Sequence, residues 1–230
     1  MTFPRANFPI GVSAIVIDLD GTLLHSSPEL AEAANCMLRE MDYPPVSQEL
    51  LASYIGNGIG WLVKRALTGD MHATPDAALF EHALPIFEKH YAKLLLGSKP
   101  YDGVIEGLEA MRTEGFRLGC ITNKASRFTG PLLEGSGLAK YFDIVVSGDT
   151  LPEKKPHPLP LLHAAEFFGI PAAELLMIGD SLNDTLAARA AGCPVFCVPY
   201  GYNHGKPAAD LDQDAVIANI AAALPLIRHT

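Results

Sequence analysis

Five short apolar runs, Ala14–Asp18, Leu118–Thr122, Ile144–Ser147, Leu175–Gly179 and Pro194–Val198, recur along the chain, and the last four alternate with stretches of helical character. Short continuous runs of this kind bounded by turn residues fit buried strands, and their alternation with helices predicts a parallel sheet covered on both faces. Residues 23–98 behave differently. Apolar positions there repeat at helical spacing: Leu30, Ala34, Met37, Leu38 and Met41 over Pro28–Met41, and Leu79, Phe80, Ala83, Phe87, Tyr91, Leu94 and Leu95 over Pro75–Leu96, with Pro85 inside the second. Between them a short helix is expected from Ser47, which caps it, and another over Trp61–Leu67; no strand is expected in the whole segment.

The expected fold class is therefore α/β, a three-layer Rossmann-like core with a parallel sheet and an inserted helical cap. Residues 1–22 and 99–230 form the core, and residues 23–98 form the cap, inserted after the first strand with hinges near Leu23 and Pro100. With 49% hydrophobic and 19% charged residues, the chain is long enough and apolar enough to bury a sizeable core. Its net charge of −9, with no stripe of Lys or Arg, disfavours nucleic acid and anionic membrane as partners. Any anion must then be held locally, by a few cationic groups or a metal. Residues 1–13 carry no charged leader and no long apolar segment, so a soluble, cytoplasmic protein is expected. Cys36, Cys120, Cys193 and Cys197 are irregularly spaced and fit thiols in a reducing compartment better than disulfides or a metal site.

The chemistry collects where the apolar runs end, which is where open parallel sheets bind ligands. The first run ends in Asp18-Leu19-Asp20-Gly21-Thr22. Strand alternation would point Asp18 and Asp20 one way and Leu19 into the protein. Two carboxylates sharing one mouth are costly unless one is protonated or a cation lies between them, and Mg²⁺ suits such oxygen donors. The second run ends in Thr122-Asn123-Lys124 at a helix start, where free N–H groups favour anions. The run Leu175–Gly179 leads into Asp180-Ser181-Leu182-Asn183-Asp184, and Lys154-Lys155-Pro156-His157-Pro158 offers a cation between them. Taken singly, these residues are explained as a cap, a loop charge and turn carboxylates. The cluster Gly56-Asn57-Gly58-Ile59-Gly60 lacks the G-x-G-x-x-G spacing of a dinucleotide site and is either a bare helix entry or a loop that faces substrate.

As an ordered set, these motifs resemble the haloacid dehalogenase-like hydrolase superfamily: Asp18 and Asp20 in the first, Thr122 in the second, Lys155 in the third, Asp180 and Asp184 in the fourth. The helical insertion is similar to that superfamily's small cap. Asp20 and Thr22 resemble its phosphatase branch. Within it, the phosphoglycolate phosphatase family is resembled by Asp18–Leu24 followed by Ser27-Pro28-Glu29-Leu30, by Gly56-Asn57-Gly58 followed by Arg65-Ala66-Leu67, by Tyr200-Gly201-Tyr202-Asn203, and by Asp214-Ala215-Val216-Ile217. His25 departs from that family, which usually carries Asp there.

The resemblance implies a Mg²⁺-dependent phosphomonoesterase acting through an aspartyl-phosphate on Asp18, with 2-phosphoglycolate as substrate and glycolate and phosphate as products. It implies Asp20 as general acid and base. Asp18, the main-chain carbonyl of Asp20 and Asp180 become metal ligands, with Asp184 holding that shell from outside. Thr122, Asn123 and Lys155 become binders of the phosphoryl oxygens. The carboxylate of glycolate would need a cation or a hydroxyl, for which Arg65 and Lys64, on the helix after the glycine cluster, are candidates. The same chemistry on a sugar phosphate, a pyrophosphate or a nucleoside monophosphate is the alternative, ahead of a phosphomutase or a non-catalytic binder. The expected partner is a small-molecule phosphoester, and the expected assembly a monomer or homodimer.

Overall fold

The structure is a computed structural model that describes residues 7–230. Residues 1–6, and with them part of the stretch expected to carry no leader, lie outside the described residues. Six strands form one parallel sheet: β1 Ala14–Ile17, β2 Arg117–Ile121, β3 Ile144–Val146, β4 Leu175–Gly179, β5 Val195–Cys197 and β6 Ala215–Val216. Their spatial order is β3-β2-β1-β4-β5-β6. The chain thus builds outward from β1 on one side and then crosses to build outward on the other. The crevice of a doubly wound sheet opens where that direction reverses, between β1 and β4.

Strand alternation divides the core in two. Ile15 and Ile17 of β1 and Leu176 and Ile178 of β4 face one side, while Ala14, Val16, Leu175 and Met177 face the other. The first side packs on α5 (Val104–Thr113) and α6 (Ser126–Gly135) through Val104, Leu108, Phe128 and Leu132. The second packs on α7 (Leu159–Phe168) and α8 (Leu182–Ala191) through Leu161, Ala164, Ala187 and Ala188. The result is the expected three layers.

The insertion contains α1 (Ser27–Glu40), α2 (Gln48–Ser53), α3 (Ile59–Thr68) and α4 (Ala77–Leu94). Ser47 caps α2 by accepting from the Leu50 N–H at 3.2 Å, and Asp76 caps α4 from the Ala78 N–H at 2.9 Å. The expected stripe of α1 buries Leu30, Ala34, Met37 and Leu38 in one cluster with Ala83, Phe87 and Tyr91 of α4, which runs unbroken through Pro85. Phe87 stacks on Tyr91, and Tyr91 meets Phe128 of α6 edge-on with ring centroids 5.2 Å apart, so the insertion and the core share apolar surface.

Three pairings were not read from the sequence. Leu24–His25 pairs antiparallel with Lys99–Pro100 where the chain leaves and re-enters the core, Ile10–Val12 pairs parallel with Ile227–His229, and β6 extends the sheet. Each has two or three residues, too few to show a period, and each exists because distant segments meet. The three cysteines of the core, Cys120, Cys193 and Cys197, are buried, and all four are free thiols. Among the described residues, no helix is long and apolar enough to cross a membrane.

Phe87 is fully buried at the centre of the helical block. Phe87→Ala is expected to lower the unfolding free energy by about 3–5 kcal/mol through lost burial and the remaining cavity, measured by urea denaturation.

Candidate active site

Asp18 follows β1 directly, and its N–H still donates to Ile178 O at 2.9 Å, which fixes the residue at the β1–β4 crevice. Its Oδ1 accepts from Lys155 Nζ at 2.8 Å. The same ammonium donates to Asp184 Oδ1 at 2.6 Å and to Ile121 O at 2.7 Å, so its three hydrogens meet three acceptors. The other oxygen of Asp184 accepts from Ser181 Oγ and N and from the Asp180 N–H, closing a capping box at the start of α8. Asp184 therefore has neither oxygen free.

Asp180, at the end of β4, accepts from Thr22 Oγ1 at 2.9 Å and from the Tyr202 N–H at 2.5 Å. Gly21 beside it has φ +87°, and a Cβ there would stand 2.6 Å from Asp180 Oδ2. The Asp-Gly-Thr turn thus needs glycine for both its backbone angle and the room it leaves for Asp180.

One ligand oxygen from each of Asp18, Asp180 and Asp184 falls within 4.8 Å of the others, and all three residues are buried. Burial pushes the Asp18 carboxyl up to about 6 against the pull of Lys155, with Asp184 and Asp20 pushing the same way as burial. Burial, then Asp18 and Asp184, raise Asp180 well above the usual carboxylate range. Lys155 bonds Asp18 and Asp184, and among the described residues no cation pairs with Asp180. A divalent cation with a preference for oxygen fits beside the carboxyl oxygens of Asp18 and Asp180.

Asp18 and Asp20 line the same cavity, as expected, but each has its own lysine. Asp20 accepts from Lys124 Nζ at 2.7 and 3.0 Å and from Ser26 Oγ at 2.6 Å. Its carboxylate is not part of the three-residue acidic group. Thr122 is buried at the same mouth, its N–H bonded to Val146 O and its Oγ1 accepting from the Lys124 N–H at 3.2 Å. Asn123 donates through Nδ2 to Lys155 O at 2.8 Å, while its buried Oδ1 has no partner among the described residues.

The glycine cluster forms the opposite wall: Gly56, Asn57, Gly58 and Ile59 line the cavity. Gly56, Asn57 and Gly58 have φ of +121°, +56° and +89°, a run that two glycines make affordable. Its two readings hold together, because Gly58 is the N-cap of α3 and the same loop lines the cavity. Asn57 Nδ2 donates to Asn183 Oδ1 at 3.2 Å, Lys154 Nζ donates to Asn57 O at 2.9 Å, and His204 Nδ1 donates to Ser53 O at 2.8 Å, so loop and core meet across the mouth.

Arg65 is placed differently from the expectation. It is 5% exposed and spends its guanidinium on Tyr54 O at 2.6 Å, Met71 O at 3.0 Å and Asn57 Oδ1 at 3.1 Å. The turn of α3 points it behind the loop, which it braces, and it does not line the cavity. Lys64 also faces away, with Nζ about 5 Å from the Trp61 and Phe80 ring centroids. His25 lies at the paired crossing, exposed, with Nε2 3.3 Å from Ser27 Oγ.

Sequence reasoning missed the role of Lys124, although the Thr122-Asn123-Lys124 run contained it, because its partner lies 104 positions away. Tyr202 was quoted only as part of a resemblance. Its N–H holds Asp180, and its hydroxyl accepts from the Ser27 N–H at 2.9 Å and from Tyr101 OH at 3.2 Å, tying the acidic group to the start of α1.

Residues 15–198 match the family model of the haloacid dehalogenase-like hydrolases. The chain is 58% identical over 222 residues to a phosphoglycolate phosphatase of Thiobacillus denitrificans, covering 96% of this chain and 98% of the relative. It is 54% identical over 225 residues to a phosphoglycolate phosphatase of Nitrosospira multiformis, covering 97% and 99%. A crystal structure described as a predicted phosphoglycolate phosphatase from Haemophilus somnus superposes with a TM-score of 0.86 at 33% identity, covering 93% of this chain and 96% of that one. The family match runs from β1 through the whole insertion to the end of β5, and the chain belongs to the haloacid dehalogenase-like hydrolase family.

Proposed function

We propose that the protein is a Mg²⁺-dependent phosphomonoesterase that hydrolyses 2-phosphoglycolate to glycolate and phosphate through an aspartyl-phosphate on Asp18. The observation that carries the reaction class is Asp18, buried at the β1–β4 crevice, bonded to Lys155 and grouped with Asp180 and Asp184. The substrate follows from relatives over 50% identical that carry the name phosphoglycolate phosphatase. The cavity places Asp18, Asp20, Thr122 and Lys155 of the core opposite Gly56, Asn57, Gly58 and Ile59 of the helical block.

Asp18, the main-chain carbonyl of Asp20 and Asp180 would hold the Mg²⁺, and Asp184, with both oxygens already bonded, orients Lys155 and the α8 turn from behind. The ion, when bound, supplies the positive charge that lets an anionic carboxylate approach a phosphate dianion. Lys155 and the Thr122 hydroxyl bind phosphoryl oxygens and stabilise charge as it moves during transfer. An Asp18 oxygen forms the bond to phosphorus as the ester oxygen leaves with a proton from Asp20. The Asp20 carboxylate, in the form that Lys124 and Ser26 hold, then takes a proton from water. That water attacks the aspartyl-phosphate, which releases phosphate and restores Asp18. In this reading the enzyme works in the cytoplasm on a free small molecule.

Phosphate release from a panel of small esters in Mg²⁺ tests the reading. The expected result is a kcat/KM for 2-phosphoglycolate well above those for sugar phosphates and nucleotides, and its absence would reject the substrate. EDTA is expected to abolish turnover and excess Mg²⁺ to restore it; release that ignores the chelator would reject the metal. Asp18→Asn is expected to lower kcat by at least about a thousandfold. Lys155→Met should also destabilise the fold by about 3–5 kcal/mol in chemical denaturation, because it leaves Asp18 and Asp184 buried without their cation.

A further inference from the structure

We propose that the Tyr91 hydroxyl, carried by α4 of the helical block, is a positioning group for the reaction: it takes up a hydrogen of the Lys124 ammonium while Asp20 carries its proton. This rests on the reading of Asp20 as the acid and base of the cycle.

Tyr91 is fully buried, and its hydroxyl has no hydrogen-bond partner among the described residues. Its ring is well used, stacking on Phe87 with centroids 5.7 Å apart and meeting Phe128 edge-on at 5.2 Å. Phenylalanine would keep both contacts and bury no unpaired oxygen, so packing accounts for the ring and leaves the hydroxyl unexplained. Beside it lies Lys124, whose Nζ is 4.9 Å from the ring centroid. Burial pushes the Tyr91 phenol up to about 12 while Lys124 pulls it down. Burial also works against the charge on Lys124, which Asp20 and then Tyr91 support. Hydroxyl and ammonium are therefore neighbours.

Lys124 is itself buried and lines the cavity, whereas Tyr91 does not line it and so reaches Asp20 only through the lysine. Two of the three ammonium hydrogens go to the two oxygens of Asp20, at 2.7 and 3.0 Å, and the third has no aligned acceptor among the described residues. Both oxygens of an ionised carboxylate accept, but one of them must hold the proton that passes to the leaving oxygen. At that stage the lysine loses an acceptor in a buried place, where a charged donor left unpaired is costly. The Tyr91 oxygen has lone pairs free for the displaced hydrogen. With it, the ammonium stays in place while Asp20 gives its proton to the leaving oxygen and later takes one from water, and the carboxyl returns each time to the same donors.

Single-turnover rates separate this role from packing. The wild type, Tyr91→Phe, Lys124→Met and the double variant are compared in saturating Mg²⁺ on the ester that the wild type turns over best, with KM and the urea midpoint measured alongside. Tyr91→Phe is expected to slow the single turnover about tenfold, to leave KM within about twofold and not to lower the urea midpoint; in the Lys124→Met background the same substitution is expected to change the rate by less than about twofold. A Tyr91→Phe enzyme as fast as the wild type would overturn the proposal. So would slowing that comes with a lower urea midpoint, with a matching rise in KM, or undiminished in the absence of Lys124, since each assigns the hydroxyl to packing or docking. Asp20→Asn tests the underlying reading separately. If it matches the wild-type rate, or if the wild type turns over no ester, the reading of Asp20 fails and the role of Tyr91 with it. A slow Asp20→Asn beside an unchanged Tyr91→Phe overturns the role of Tyr91 alone. If circular dichroism shows Lys124→Met unfolded, Asp20→Asn takes its place as the background, where Tyr91→Phe is again expected to have no effect.

Discussion

Carboxylates that converge inside a protein repel one another through a medium that screens them poorly, and Asp18, Asp180 and Asp184 do so with Lys155 as the single ammonium among them. The surrounding structure is organised to hold that arrangement. Each acid has donors fixed by secondary structure: the N-terminal turn of α8 for Asp184, the Thr22 hydroxyl and the Tyr202 N–H for Asp180, and Lys155 for Asp18. Because Lys155 also bonds Ile121 O, the β2 end is drawn into the same arrangement as β1 and β4. Moving Lys155 would disturb Asp18, Asp184 and the β2 end at once, since its one ammonium bonds all three.

The same economy governs the acid and base. Asp20 lies two residues from Asp18, yet its neutralising partner is Lys124, delivered from the end of β2, and its second donor is Ser26, which precedes α1. Lys124 Nζ in turn lies 4.9 Å from the Tyr91 ring centroid in α4. Asp20 therefore touches both the core and the helical insertion, and its setting depends on how the two are docked. Tyr202 makes a parallel connection from Asp180 to the Ser27 N–H.

Strand ends, helical stripes and caps were legible because they are local: Ala14–Ile17 before Asp18, Ser47 before α2, and Leu30, Ala34, Met37 and Leu38 on one face of α1. The positions of Asp18, Thr122 and Asp180 were legible for the same reason, each following an apolar run, whereas Lys155 lies in a loop and stood out only as one of an ordered set. What escaped was pairing at long range. Nothing near Lys124 names Asp20, and nothing near Arg65 says that its acceptors are Tyr54 O and Met71 O and not a ligand. A helix sequence specifies which residues share a face, but the rotation of α3 against its loop is fixed only by packing. The short Leu24–His25 and Lys99–Pro100 pairing escaped because each partner is two residues long.

That small ribbon has an architectural consequence. Since the outgoing and incoming crossings lie side by side and bond to each other, the chain re-enters the core where it left it, and the helical block adds no gap between β1 and its neighbours in the sheet. The register of β1 against β2 and β4 is set by residues 14–17 alone, before the chain enters the block. The scaffold thereby separates inheritance of the phosphoryl chemistry, written at the strand ends, from variation in what covers it.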